Sequence, residues 1–259
     1  MVSNVIKVYI STDMEGIGGV VRPAQVAMGT SEYEIACGWM AAEVNAYVRG
    51  ALEAGAKEVW VKDAHSKGMN MRWDAFPETV RLVTGRTGLT RFPGLDASFS
   101  AMFLVGYHAQ AGTPYAVLDH TWSSANDTRF LFDGVEVGEI ALDAAIAGTF
   151  GVPVALVSGD DKTAIEATAL LGSVENVVTK TGVTREGAIC LPLAKVLHQA
   201  ETGALRAVER ALRGEFAPFV PKTPLHCAQT WRDENGTRQT REAVGEDLRR
   251  LFQEVIGQG

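Results

Sequence analysis

VIKVYISTDMEGIGG, residues 5–19, begins as an apolar strand and ends in two carboxylates and three glycines. The alternation over residues 5–11 predicts a strand. Side chains two residues apart in an extended chain point to the same side, so Asp13 and Glu15 face together. Two carboxylates this close repel each other unless a cation lies between them. The glycines leave the backbone free to turn sharply beside whatever is bound there.

The segments that follow alternate between helices and strands. A capping box, Ser31 with Glu34, opens a helix whose apolar side chains have helical spacing and which stops near Gly55. EVWVKDA at 58–64 is the next strand, and a strand–helix–strand unit implies parallel pairing. Further strands are predicted at residues 79–85, 100–109, 115–122 and 152–161, with a hairpin at 129–137 that has Asp-Gly at its tip.

The second half of the chain changes in character. An alanine-rich helix is predicted at residues 138–148 and, beyond about residue 174, a long helix at 192–213 and a charged terminal helix at 239–256 frame a few short strands. The predicted class is α/β, a largely parallel sheet flanked by helices, with a smaller α+β C-terminal part. We place the metal-binding catalytic domain at residues 1–170 and the C-terminal subdomain at residues 171–259.

Composition restricts the class of protein. The chain has 259 residues, 46% apolar and 21% charged, and a net charge of -7, which argues against a nucleic-acid partner. No apolar run is long enough to span a membrane, so no membrane partner is expected. The N-terminus lacks the features of a signal peptide, and the three cysteines have no CxxC spacing, which fits a reduced, cytoplasmic protein.

Histidines follow several of the strand-like runs. VWVKDAH ends at His65, FLVGYH at His108 and AVLDH at His120. Ligand sites in open α/β sheets lie at the carboxyl ends of the strands. One such histidine is usually structural, but several beside Asp13 and Glu15 predict a metal site at that edge of the sheet. Mixed histidine and carboxylate ligands suit zinc, with manganese or cobalt as substitutes.

Glu139 is a further candidate ligand, at the start of the alanine-rich helix. A glutamate in a first helical turn also complements the helix dipole, so both roles stay open. With Glu139, three carboxylates and one bridging hydroxide balance two divalent ions, which favours two metals over one. Asp63 is a candidate orienting partner for an imidazole, or it marks the end of a strand. His198 and His226 are expected to be structural or exposed.

SGDDK at 158–162 supports a competing interpretation. A strand-end aspartate together with Asp13 is similar to the magnesium phosphohydrolases of the haloacid-dehalogenase type, in which an N-terminal aspartate is the nucleophile. That scheme leaves the histidines without a role. We favour Asp160 and Asp161 as the N-cap of the next helix. A metal-stabilised binding or scaffold protein without turnover is a third alternative.

The combined motifs resemble the zinc D-aminopeptidases encoded with bacterial dipeptide transporters. ISTDMEG, KDAH, GYHA, DHT and the GE before the alanine-rich helix carry the resemblance, together with VSGDDK and VVTKTGVTREGA further on. Their order and spacing fit across most of the chain. The resemblance implies two zinc ions bridged by Asp13, with the remaining ligands supplied by Glu15, His65, His108 and Glu139.

The resemblance also implies how the site works. The family's catalytic histidine falls on His120, for which we prefer a proton-transfer role because a zinc-bound hydroxide is already available to attack. The implied substrate is a short peptide with a free N-terminus, cleaved after an N-terminal D-amino acid such as D-Ala. Members of the family form rings of subunits, so a homo-oligomer, a decameric double ring, is the implied assembly.

Overall fold

The structure, a computed structural model, describes residues 5–88 and 90–256. Its strands are β1 (Lys7–Thr12), β2 (Glu58–Asp63), β3 (Val80–Val83), β4 (Ala101–Val105), β5 (Arg129–Phe132), β6 (Val135–Val137), β7 (Val154–Asp160), β8 (Glu175–Thr184), β9 (Gly187–Cys190), β10 (Leu225–Arg232) and β11 (Arg238–Gly245). Its α-helices are α1 (Ser31–Glu53), α2 (Glu139–Gly148), α3 (Asp161–Leu171), α4 (Leu193–Leu212) and α5 (Leu248–Ile256). Short 3-10 helices lie at Pro23–Gln25 and Trp73–Ala75.

The larger sheet has the strand order β3-β2-β1-β4-β7-β8-β9. Its neighbouring strands pair in parallel except at the β8–β9 edge, which is antiparallel. Both faces are covered, because Val8 and Ile10 pack in one apolar core with α1 and α4 while Tyr9, between them, faces a second core with α2. Parallel sheets are normally covered on both faces in this way. The predicted α/β class is confirmed.

The smaller sheet is antiparallel, with the order β11-β10-β5-β6. The predicted Asp-Gly hairpin supplies β5 and β6, and Asp133 and Gly134 both have positive φ, as a tight two-residue turn requires. Helix α5 packs on this sheet through Leu251 and Phe252. Strands from both sides of residue 170 share each sheet, and the division of the chain into two domains there stays a prediction.

Two predicted elements are wrong. Residues 239–245, expected to be helical, form β11, because their backbone pairs with β10 along its full length. Residues 115–122, expected to be a strand, form an irregular loop in which Tyr115, Leu118 and Trp122 have positive φ. Hydrogen bonds from Val117 N to the Asp160 carboxylate and from Leu118 N to a distant carbonyl hold this loop. Tertiary partners therefore override the local pattern in both places.

The remaining helix boundaries lie close to the predictions. Helix α1 begins at Ser31, but its N-cap is Thr30, whose hydroxyl accepts a hydrogen bond from Tyr33 N. Asp160 caps α3 as expected, accepting from the backbone N–H groups of Lys162 and Thr163. Within the described ranges, no helix combines the length and apolar character that crossing a membrane requires.

Candidate metal centre

Three neighbouring strands bring the first candidate ligands together. Asp13 follows β1, His65 follows β2 and His108 follows β4, and these strands lie side by side in parallel. The Asp13 carboxylate lies between the two imidazoles, with Oδ1 at 3.0 Å from His65 Nδ1 and Oδ2 at 3.4 Å from His108 Nε2. All three side chains are buried. The strand ends thus converge as their order along the sheet demands.

The His65 imidazole is oriented by its other nitrogen. Nε2 lies 2.9 Å from the Val26 carbonyl oxygen and donates to it. Nδ1 is then left facing two carboxylate oxygens, Asp13 Oδ1 and, at 3.2 Å, Glu15 Oε2. A histidine held by a backbone carbonyl on one nitrogen, with the other aimed at carboxylates, is the usual arrangement of a metal ligand.

His108 repeats this arrangement on the other side of Asp13. Its Nδ1 donates to the Ala109 carbonyl at 3.1 Å, and its Nε2 faces Asp13 Oδ2 and Glu139 Oε1, the latter at 3.3 Å. Among the described residues, His108 Nε2 and Glu15 Oε2 are buried side-chain atoms without a hydrogen bond of acceptable geometry. A buried nitrogen and oxygen left in this way fit donors to a cation.

Glu139 is the first residue of α2 and points into the same group. Its Oε1 accepts a hydrogen bond of 2.7 Å from Trp122 N, and its Oε2 lies 3.5 Å from Arg91 Nη2. The candidate ligands therefore form two sets that meet at Asp13. One contains Asp13, Glu15 and His65, and the other contains His108, His120 and Glu139.

His120 differs from the other two histidines in its surroundings. Its Nδ1 donates to the Leu118 carbonyl at 2.9 Å, and its Nε2 lies 4.0 Å from Glu139 Oε1. Its ring stacks on that of His108, with centroids 3.8 Å apart. Its side chain keeps 15% of its surface exposed, against 1% for His108. His120 is thus the imidazole of the centre that is most open to a reacting molecule.

Both sets of candidate ligands contain buried carboxylates, and positive charge is needed to balance them. Burial raises the pKa of Asp13, but the neighbouring imidazoles of His108 and His65 outweigh it and hold that pKa well below its usual range. Burial lowers the pKa of His65 and of His108, but the adjacent carboxylates raise both pKa values well above the ordinary value. Protons or divalent metal ions can supply this charge, and a metal ion replaces the protons on binding.

The loop after β1 is held by a residue that the sequence analysis did not single out. Lys180, in β8, is buried and its Nζ donates to the backbone carbonyls of Glu15, Ile17 and Val20, at 2.5, 2.9 and 2.5 Å. Gly16 is required in this loop because a Cβ there would lie 2.0 Å from the Tyr107 carbonyl oxygen. A lysine in the middle of a buried strand was the signal that would have indicated this role.

A second unpredicted group lies behind Glu139. Arg91 makes a bidentate ion pair with the Asp143 carboxylate, with N–O distances of 2.8 and 2.8 Å, and Tyr107 Oη donates to Asp143 Oδ2. Asp143 is completely buried on α2, one turn after Glu139. Only the folded chain brings Arg91 and α2 together, because 48 positions separate Arg91 from Glu139.

The other polar candidates lie outside the centre. Asp63 accepts from Asn70 and Met71 rather than touching an imidazole. His198 is exposed on α4, and His226 pairs with Glu242 in the smaller sheet. Asp160 caps α3 through Oδ1 and accepts from Val117 N through Oδ2.

Residues 6–244 match the family model described as D-aminopeptidase. The chain belongs to the D-aminopeptidase family. A D-aminopeptidase from Bacillus subtilis (strain 168) is 35% identical over 190 residues, which cover 73% of this chain and 69% of that protein. The resemblance inferred from the motifs is confirmed, and the haloacid-dehalogenase alternative is not supported.

The fold of this D-aminopeptidase family member matches a solved structure over nearly its whole length. The structure is the Zn-dependent D-aminopeptidase DppA from Bacillus subtilis, a self-compartmentalizing protease. The TM-score is 0.87 at 28% sequence identity, with 96% of this chain and 95% of that chain covered.

Proposed function

We propose that this chain is a zinc-dependent aminopeptidase that removes N-terminal D-amino acids, such as D-alanine, from short peptides or amides. The observation that carries the proposal is the paired orientation of His65 and His108. Each imidazole donates one N–H to a backbone carbonyl, and its other nitrogen faces two carboxylates. The Asp13 carboxylate is one of these two in both cases. The zinc dependence of the similar DppA structure supports zinc as the metal.

The side chains divide between two zinc ions in this proposal. Glu15 and His65 would hold one ion, His108 and Glu139 would hold the other, and Asp13, which contacts both histidines, would be shared between them. The pairing rests on the contacts of Asp13 with His65 and His108, and it leaves out His120, which lies in one set with His108 and Glu139. Histidine nitrogen and carboxylate oxygen are ordinary zinc ligands, so these five side chains fit zinc, and zinc held by so few protein ligands would also accept water and substrate.

Bound zinc supplies a Lewis acid that polarises the scissile carbonyl and lowers the pKa of water. The remaining step, proton transfer to the leaving group, belongs to a protein side chain. His120 keeps Nδ1 on the Leu118 carbonyl, so Nε2 is the atom that carries a proton to the leaving amine. The partly exposed ring beside Glu139 places that atom at the mouth of the centre. A covalent adduct on His120 is not needed.

The assembly and location belong to the same proposal. We infer a homo-oligomer, a decameric double ring that encloses its active sites, because the similar DppA is a self-compartmentalizing protease. The substrate is then a short peptide with a free N-terminus that can enter such a space. We also infer a cytoplasmic protein without a nucleic-acid or membrane partner, in keeping with the net charge of -7.

Metal removal and replacement test this proposal. The purified protein is freed of metal with a chelator, reloaded with zinc, and assayed on matched D-alanine and L-alanine amides. We expect hydrolysis of the D-amide by the zinc-loaded form, little hydrolysis of the L-amide, and none of either by the metal-free form. Equal activity with and without metal would contradict the zinc mechanism, and equal use of both amides would contradict the D-specificity.

A further inference from the structure

A cleft of about 230 Å³ opens beside the candidate metal centre. Glu139 and Trp122 form part of its wall, Lys62, Arg91 and the segment 85–88 contribute to it, and Asp63 lies among the other lining residues. Pockets for drug-sized ligands are larger, about 300–1,000 Å³, so the cleft suits a small molecule or the end of a short chain. Since Glu139 is a proposed ligand, a molecule in this cleft lies next to the metals.

Lys62 is the unusual residue of the cleft. It is 5% exposed, and its Nζ donates a hydrogen bond of 3.2 Å to the Asp63 carbonyl. Within the described ranges, no carboxylate lies within 4.0 Å of this ammonium group, although an ammonium group has three N–H donors. Burial and the charge of Arg91 lower the pKa of Lys62 to about 8, so it stays mostly charged at neutral pH. The carboxylates of Asp143, Asp63 and Asp13 raise that pKa, but none of them forms an ion pair with Nζ, and an anion in contact with Nζ would reduce the remaining cost of burying this charge.

Arg91 adds a second positive charge to the same wall and is held rigidly. Its guanidinium is paired with Asp143, and it lies over the Trp122 ring with 4.6 Å between the guanidinium carbon and the ring centroid. The pair with Asp143 satisfies the charge of Arg91, whereas Lys62 forms no ion pair with the described residues. The wall is therefore preorganised to receive one negative group beside Lys62.

A second opening beside His120 lacks this feature. Its arginines, Arg129 and Arg185, are paired with carboxylates of their own, Asp127 at 2.9 Å and Asp119 at 3.1 Å. Charge thus distinguishes the two openings, and the one that contains Lys62 is the one suited to an anion.

We propose that the cleft binds the C-terminal carboxylate of the peptide substrate, with Lys62 as the residue that receives it. This inference rests on the proposed function, because a peptide that presents its free N-terminus to the metals carries one other terminal charge, the carboxylate. Lys62 therefore makes the enzyme selective for peptides with a free C-terminal carboxylate over peptides blocked as amides.

A pair of substrates tests the inference on the unaltered zinc-loaded enzyme. D-Ala-D-Ala and its C-terminal amide differ only in the charged terminus. Because a hydrogen bond to a charged group is a strong interaction, we expect kcat/KM to favour the free acid by about tenfold or more. Equal kcat/KM values for the two would overturn the carboxylate site and leave the proposed function standing. Hydrolysis of neither compound would overturn the proposed function itself.

Substitutions at Lys62 test whether this residue causes the preference for the free acid over the amide. We expect Lys62→Met to lower kcat/KM on the free acid by about tenfold, chiefly through KM, and to abolish the preference for the free acid over the amide while zinc content stays at the wild-type level. Lys62→Arg should restore part of the preference. Lys7→Met, which removes a lysine from the amino end of β1 in the same sheet, is the matched control and should behave as wild type. An equal loss on both substrates, or a loss of zinc in Lys62→Met, would overturn the inference.

Discussion

The imidazole of His120 stacks on that of His108, with ring centroids 3.8 Å apart and ring planes 17° apart. The stack fixes His120 beside a proposed zinc ligand. Its Nε2 stays 4.0 Å from the Glu139 carboxylate, beyond hydrogen-bonding distance. We therefore assign His120 to proton transfer and His108 to metal binding.

Replacing His120 separates catalysis from metal binding. We expect His120→Ala to lower kcat by about 10²–10⁴-fold, the usual contribution of a general acid, with zinc content unchanged. His198→Ala, an exposed position on α4, serves as the control and should keep full activity. Loss of zinc would make His120 a ligand, and full activity would remove its catalytic role. Metal binding without turnover in the wild type would favour the scaffold alternative.

Replacing single carboxylates tests the bridging role of Asp13. Its two oxygens contact different histidines, so Asp13→Ala should weaken both zinc sites. Glu15→Ala and Glu139→Ala should each weaken one. Zinc bound per chain, measured by mass spectrometry of the metal, should fall furthest in Asp13→Ala. Asp96→Ala, at an exposed loop position, is the control. Retention of full zinc by Asp13→Ala would contradict the bridge.

Lys180 is expected to set zinc affinity without touching zinc. Its three hydrogen bonds hold the backbone that carries Glu15. Loss of groups that orient metal ligands typically costs about 10–100-fold in affinity, so Lys180→Met should weaken zinc binding by that factor. Lys195→Met, an exposed residue of α4, should leave it unchanged. A folded Lys180→Met protein with wild-type zinc affinity would contradict this role.

The buried carboxyl group of Glu43 is expected to make the stability of the folded protein depend on pH. It is completely buried on α1, where its Oε2 accepts from Gly18 N, and burial raises its pKa from 4.5 to about 7. The folded protein therefore holds a proton that the unfolded chain releases between these pH values, so its stabilising contribution is lost as pH rises from 4.5 to 7. The loss is about 3 kcal/mol at most, at 1.36 kcal/mol per pKa unit.

Chemical denaturation of Glu43→Gln measures this effect. The variant has no carboxylate to ionise, so the stability of the wild type relative to the variant should decline from pH 4.5 to 8. Glu53→Gln, exposed near the end of the same helix, should follow the wild type at every pH. A constant difference between wild type and Glu43→Gln across this range would show that Glu43 does not titrate as expected.

Two simple rules account for the convergence of the candidate ligands at the strand ends. His65 and His108 follow apolar runs, and parallel strands place their carboxyl ends at one edge of a sheet. The same reasoning failed at residues 239–245, where pairing with β10 decides the structure. Asn235-Gly236, a strong hairpin signal between β10 and β11, would have indicated the correct answer.

Local sequence patterns do not identify Lys180 and Arg91, the residues that support the centre. Lys180 is 165 positions from Glu15 in sequence, and Arg91 is 52 from Asp143. No periodicity or motif encodes contacts at such separations, because they depend on how the sheet and helices pack. His120 lies 4.0 Å from Glu139 although its loop is not the predicted strand. Its position comes from the contacts that hold the loop.

The most direct test of the two-zinc centre is an anomalous diffraction map recorded at the zinc absorption edge from crystals of the zinc-loaded protein. Two peaks are expected on either side of the Asp13 carboxylate, one next to Glu15 and His65 and the other next to His108 and Glu139. A map without a peak in coordination range of these side chains would contradict the account.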